Sequence, residues 1–215
     1  MRTDPGSPIV GLESHARRAA DAILAGRLVV FPTDTVMAIA ARPDDEAATG
    51  ALFAAKDRPA ELSLPVLCPD ASSVWTVAEA SPEAQALGEA FWPGALTLVL
   101  PRTGRSAGWA LGPSVGTVAV RVPNHQVARA IAALAGPVAA SSANPSGRPP
   151  LERREDLVAA FGDLVAVYLV DEPGLARAGG SASTVLDLTG PSPQLLRSGP
   201  VSEAAILDAI RRTGS

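Results

Sequence analysis

Apolar residues in this chain come in short runs, and proline or glycine interrupts nearly every one. The 20 prolines and 19 glycines are spread from end to end. Proline fixes φ and donates no backbone N–H, and glycine is costly inside a helix or strand, so the pattern predicts many short elements separated by turns. Residues 12–25 carry Leu12, Ala16, Ala19 and Ile23 at helical spacing and stop at Gly26. Residues 28–31 read as a buried strand, 36–41 as extended chain after a turn, and 46–55 as a helix. The run 64–67 holds a proline and reads as an edge or irregular strand. Helices are predicted over 82–91, with Pro82 in the first turn, and over 125–134, 151–161 and 202–212, the last with Ser202 as N-cap. Strands are predicted over 96–100, 117–122, 137–140, 165–170, 184–188 and 194–196. Mixed elements without a strict βαβ rhythm predict an α/β fold, one domain over residues 1–215 with a twisted mixed sheet.

Composition narrows what such a domain can do. Hydrophobic residues make up 47%, enough for a core, and charged residues only 19%, too few for long solvated tails. Aromatics are 4%, so Ala, Val and Leu must fill the interior. The formal net charge of −4 lacks the basic excess of proteins that hold nucleic acid by neutralising phosphates, so any tRNA contact is expected to be weak or transient. Cys68 is the only cysteine, which excludes an intramolecular disulfide. With two histidines it also argues against a Cys/His zinc site. Residues 1–12 lack a signal-peptide core, and no apolar run approaches a membrane span, so a soluble cytoplasmic protein is expected.

Five segments could carry chemistry. Phe31-Pro32-Thr33-Asp34-Thr35 clusters two hydroxyls and a carboxylate where a strand ends, as a binding loop or as a turn capped by its own side chains. Lys56-Asp57-Arg58-Pro59 holds the only lysine, against seventeen arginines. In extended chain Lys56 and Arg58 share a face, which suits a polyanion; a solvated helix C-terminus is the plainer reading. Ser141-Ser142-Ala143-Asn144-Pro145-Ser146-Gly147 offers uncharged donors after a strand, as a phosphate cradle or an ordinary turn, and it lacks the P-loop order. Phe91-Trp92-Pro93-Gly94-Ala95-Leu96-Thr97 could wall a pocket or pack the core, and Arg121, closing Val118-Ala119-Val120-Arg121, could enter a site or lie on the surface. Ser181-Ala182-Ser183-Thr184 again places hydroxyls before a strand, and Arg197 ends the last one. His125 is read as capping or packing a helix, Cys68 as a small core residue, and Asp44-Asp45-Glu46 as the acidic start of a helix.

The order of these segments resembles the YrdC/Sua5 family: Pro32–Thr35, Lys56–Arg58, Phe91–Thr97, Val118–Pro123, Ser142–Gly147, Ser183–Asp187 and Leu196–Gly199, spanning about residues 26–199. The resemblance implies a twisted α/β sheet around an open cavity, in a short form without a further C-terminal domain. It implies a nucleotidyltransferase that joins L-threonine, bicarbonate and ATP, with Mg²⁺, into threonylcarbamoyl-AMP and releases pyrophosphate. A separate complex would then transfer the threonylcarbamoyl group to a tRNA adenosine. Lys56, Arg58, Ser142 and Asn144 match the family's signature tetrad. The implied roles are Lys56 and Arg58 on carbamate and phosphate, Ser142, Asn144 and Arg197 on the nucleotide, and Thr33, Thr35, Arg121 and Ser183 on the amino-acid side. The chemistry fits: the reacting partners are mostly anions, which cations and neutral donors can gather without a covalent nucleophile. The sequence departs from the family pattern at Met37 and Ala38, where Tyr and Gly are usual, at Leu67 for His, and at Ala95 and Ser198 for Pro. Those changes lie nearer the amino-acid end. Two other readings are a paralogue that adenylates a different carbamate, and a non-catalytic RNA-binding protein that keeps the cavity.

Overall fold

The computed structural model describes residues 8–57, 62–173, 175 and 178–212. Arg58, one of the expected site residues, lies outside them. Seven helices are described: α1 Pro8–Leu24, α2 Glu46–Lys56, α3 Ala71–Val77, α4 Pro82–Phe91, α5 Gln126–Ala135, α6 Arg154–Phe161 and α7 Glu203–Arg211. Nine strands lie among the described residues: β1 Leu28–Phe31, β2 Ala38–Ala41, β3 Val66–Leu67, β4 Leu96–Pro101, β5 Thr117–Arg121, β6 Val138–Ser142, β7 Val165–Tyr168, β8 Thr184–Asp187 and β9 Gln194–Arg197.

Local chemistry explains most boundaries. Asp45 accepts from the Ala48 N–H at 3.1 Å, Ser81 from Ala84 at 3.1 Å and Ser202 from Ala205 at 3.3 Å, satisfying helix N–H groups that have no partner within their own helix. His125 occupies the N-cap position of α5 but makes no side-chain cap bond; it is buried, so it packs. The helix α3 was not foreseen, although Asp70 announces it as N-cap, accepting from Ser73 at 2.7 Å.

The strands form one mixed sheet in the order β7-β1-β2-β6-β3-β5-β4-β8-β9, with β1/β7, β3/β5 and β4/β8 parallel. The strand β3 is therefore central, not at an edge. Pro65 precedes its two paired residues, so the missing N–H breaks no ladder bond, and the Pro65 carbonyl still accepts from Ala140 at 2.8 Å. The expected strand at 36–41 starts only at Ala38, and the helix expected at 151 starts only at Arg154.

The two sheet faces are covered unequally. One face packs α2, α3, α4, α6 and α7 through Leu52, Val74, Leu87, Leu157 and Ile206. The other packs α1 and α5 through Ile23 and Ile131, against Phe31, Ala38, Leu67 and Val138 of β1, β2, β3 and β6. Toward β4, β5 and β8 that second face opens. Leu98, Val120 and Leu186 point into the first core, so their alternating neighbours Val99, Ala119 and Val185 turn to the second face, where they are half-buried.

Candidate active site

Two polar clusters form on this sheet. The first gathers around Arg121, the last residue of β5, which is 5% exposed. Its Nε donates to the Gly94 carbonyl at 2.9 Å, Nη1 to Thr35 Oγ1 at 2.7 Å and Nη2 to Asp34 Oδ1 at 2.6 Å. Thr33 Oγ1 lies 2.9 Å from Thr35 Oγ1, donates to the Val36 carbonyl at 2.7 Å and accepts from the Thr35 and Val36 N–H groups at 3.2 Å. The loop after β1 is thus knotted on Thr33 and strapped to β5 by Arg121.

The same cluster continues onto β8 and β9. Arg197 donates from Nε to the Ser183 carbonyl at 2.9 Å and from Nη2 to Ser183 Oγ at 3.0 Å. Ser183 Oγ also lies 2.8 Å from Thr97 Oγ1. Burial lowers the Arg121 pKa; Asp34 opposes the shift through charge and hydrogen bond, and the positive charge of Arg197 adds to it. Burial also lowers Arg197. Two guanidiniums that sense each other in a partly dry setting form a region ready for anions. Glycines allow this closeness: a Cβ on Gly179 would fall 2.0 Å from the Asp34 carbonyl oxygen, and one on Gly199 2.4 Å from the Thr184 nitrogen.

The second cluster lies at the end of β6. Lys56, 1% exposed at the C-terminus of α2, donates to the Ser142 carbonyl through a short bond and to the Asn144 carbonyl at 2.6 Å. Asn144 Nδ2 donates to the Pro145 and Arg148 carbonyls at 2.9 and 2.6 Å. Its Oδ1 is buried without a hydrogen-bond partner. The two clusters lie at opposite strand ends, because β6 is antiparallel to β3 and β3 parallel to β5. The loop 32–37 joins them, touching Arg121 through Thr35 and giving the Met37 carbonyl to the Ala143 N–H at 2.7 Å.

Eight of the nine residues expected from the sequence are described, and they fall into these two groups: Thr33, Thr35, Arg121, Ser183 and Arg197 in the first, and Lys56, Ser142 and Asn144 in the second. Arg197 was expected on the nucleotide side with Ser142, but it sits with Ser183. Asp34, Thr97 and Gly94 lie within the motifs but are not among the residues expected in the site. A carboxylate between two threonines, and a hydroxyl within the strand Leu96–Pro101, were the signals available. The departures Met37, Ala38 and Leu67 are each at most 5% exposed and pack in the core. Cavities of about 710 and 540 Å³ lie elsewhere, beside Arg42–Ala47 and between α4 and α7. The convergence of buried cations and hydroxyls, not cavity size, marks the site.

Comparison with known proteins agrees with this geometry. The family model for Sua5/YciO/YrdC, described as "Telomere recombination", matches residues 21–199. A Mycobacterium tuberculosis relative is 44% identical over 193 residues, covering 89% of this chain and 87% of its own length. The Bacillus subtilis protein named "Threonylcarbamoyl-AMP synthase" is 35% identical over 88% of this chain, and the chain spans 54% of its length. The Pyrococcus abyssi Sua5 structure complexed with L-threonine superposes with a TM-score of 0.78 at 35% identity over 92% of this chain, which spans 58% of that one. On the matched model, the identities and the shared fold, this chain belongs to the Sua5/YciO/YrdC family.

Proposed function

We propose that this chain synthesises threonylcarbamoyl-AMP from L-threonine, bicarbonate and ATP, working as one domain in the cytoplasm and supplying tRNA threonylcarbamoyladenosine formation. Relatives bearing that synthase name, and a relative complexed with L-threonine, support the reading. The observation that carries it within this molecule is the pair of cation clusters bridged by the loop 32–37.

The chemistry follows from that arrangement. The threonine amine adds to the bicarbonate carbon, and loss of water leaves a carbamate. A carbamate oxygen then attacks the α-phosphorus, the bond from that phosphorus to the bridging oxygen breaks, and pyrophosphate leaves with the electron pair. Arg121 has five N–H donors, of which three are engaged, so two remain for the threonine carboxylate or carbamate. Thr33 and Thr35 set the loop around the amino acid. Ser183 and Arg197 bind the adjoining anion, Ser142, Asn144 and Lys56 form the nucleotide corner, and Arg58, outside the described residues, is assigned to carbamate and phosphate. Among the described residues no group of three His, Cys, Asp or Glu could hold a metal. Mg²⁺, carried in as part of the ATP substrate, would offset charge on the leaving pyrophosphate. The tRNA-modifying complex is the transfer partner and contact with tRNA itself is at most weak or transient; no helix among the described residues is long and apolar enough to cross a membrane.

Purified protein incubated with Mg²⁺, ATP, bicarbonate and L-threonine is expected to yield threonylcarbamoyl-AMP and pyrophosphate, read by mass spectrometry. Failure with threonine but turnover with another amine or carbamoyl donor would replace this reading with a paralogue's. Intact ATP binding with no turnover on any donor would replace it with a binding protein.

A further inference from the structure

Among the described residues, the nucleotide corner is short of outward-facing charge. The described contacts of the Lys56 ammonium run to the Ser142 and Asn144 carbonyls, and both amide hydrogens of Asn144 run to the Pro145 and Arg148 carbonyls. The backbone N–H groups are similarly engaged: Ala143 to Met37, Asn144 to Ser142, Ser146 to Lys56 and Arg148 to Pro145. A triphosphate has only acceptor oxygens, so it needs donors, and these already point inward. The donors of the turn 142–148 that make no hydrogen bond to a described residue are the Ser142 and Ser146 hydroxyls, the Gly147 N–H and the Arg148 side chain, of which Gly147 and Arg148 are exposed.

Arg148 is the one charged side chain among them. It is exposed, and it forms no hydrogen bond or ion pair with any described residue. Its backbone, by contrast, is fixed: the N–H donates to Pro145 at 3.1 Å and the carbonyl accepts from Asn144 Nδ2 at 2.6 Å. Gly147, at φ +73°, makes the left-handed step that places it there. A rigid stem with an unengaged guanidinium suits a mobile, multiply charged group better than a buried cation already tied to carbonyls.

Resting on the proposed reaction, we infer that Arg148 binds the β- and γ-phosphates of ATP and then the departing pyrophosphate. Buried Lys56 shapes the turn from beneath, and Arg148 supplies the charge that meets the leaving group. As that group departs, negative charge grows on the bridging oxygen, which a guanidinium within reach stabilises.

The test compares Arg148→Ala and Arg148→Glu with Arg17→Glu, which places the same charge change on the exposed side of α1. Equilibrium binding of Mg·ATP and of inorganic pyrophosphate is measured alongside steady-state kinetics. Arg148→Ala is expected to weaken both ligands about five- to tenfold and Arg148→Glu further, with the KM for threonine and the melting temperature unchanged. The loss shrinks as salt is raised. Arg17→Glu is expected to behave as the parent chain. Unaltered ATP and pyrophosphate binding in Arg148→Glu, or an equal loss in Arg17→Glu, would overturn the inference. The binding arm needs no turnover, so a parent chain that binds Mg·ATP but makes no adenylate sinks the reaction and leaves Arg148 still on trial.

Discussion

The Arg121 cluster and the Lys56 corner solve the same problem differently. Each holds a cation almost out of water. Arg121 is balanced by a carboxylate, Asp34 at 2.6 Å, and by a threonine hydroxyl. The contacts described for Lys56 include two backbone carbonyls, those of Ser142 and Asn144. A carboxylate partner supplies a full opposing charge and a side chain that can be exchanged. Carbonyl partners supply only dipoles, and they make the cation inseparable from the backbone shape it holds. On the proposed reading the first cluster binds and orients an anion, and the second keeps a turn in place.

The sharpest way to break that contrast is at Lys56. Lys56→Met removes the ammonium while keeping bulk, leaving two buried carbonyls short of a donor. Adenylate formation is expected to fall at least about a hundredfold, with about 3 kcal/mol lost in stability, read by product analysis and urea unfolding. Full activity in Lys56→Met would show that the turn holds its shape alone.

Asp34→Asn comes next. It leaves the Arg121 guanidinium buried without its counter-charge, at a cost of about 3 kcal/mol in unfolding free energy. The KM for threonine is expected to rise more than the KM for ATP. A selective rise in the ATP term would reverse the assignment of the two regions.

Arg197→Lys tests the first cluster more gently. Lysine cannot reproduce the two donors that meet the Ser183 carbonyl and hydroxyl, so kcat/KM is expected to fall about tenfold with little change in melting temperature. An unaffected enzyme would remove Arg197 from the site.

The smallest effect concerns Cys68, which lies outside both clusters. Burial pushes its thiol up to about 12. The native protein is expected to resist alkylation at pH 8, whereas the urea-unfolded chain labels readily. Because the folded value is the higher one, this contribution to stability is complete below the unfolded thiol's value near 9. It is lost progressively as pH rises from there toward 12. Rapid labelling of the native protein would contradict its burial.

Much of the architecture was legible because it rests on local chemistry. The strand Leu28–Phe31 and the helix Pro82–Phe91 match the bounds read from an apolar run and from Pro82 in a first turn, the acidic run ending at Glu46 opens a helix as expected, and Ser202 caps where expected. The central place of Val66–Leu67 was not legible, because a proline's effect on a strand depends on whether it falls inside the paired residues or just before them. Among the site residues, Asp34 and Thr97 escaped notice because their value comes from partners 87 and 86 positions away.

The sequence by itself determined which chemistry was available: an ordered set of hydroxyls, one lysine and a few arginines between short apolar strands, all near-neighbour information carried by composition and spacing. Only the tertiary structure decided how that chemistry is divided. Strand direction put Arg121 and Ser142, each the last residue of its strand, at opposite ends of the sheet, sheet order put Arg197 beside Ser183, and packing turned Lys56 inward while leaving Arg148 outside. Those outcomes depend on contacts between residues far apart in the chain, whose distances are fixed by the whole sheet at once.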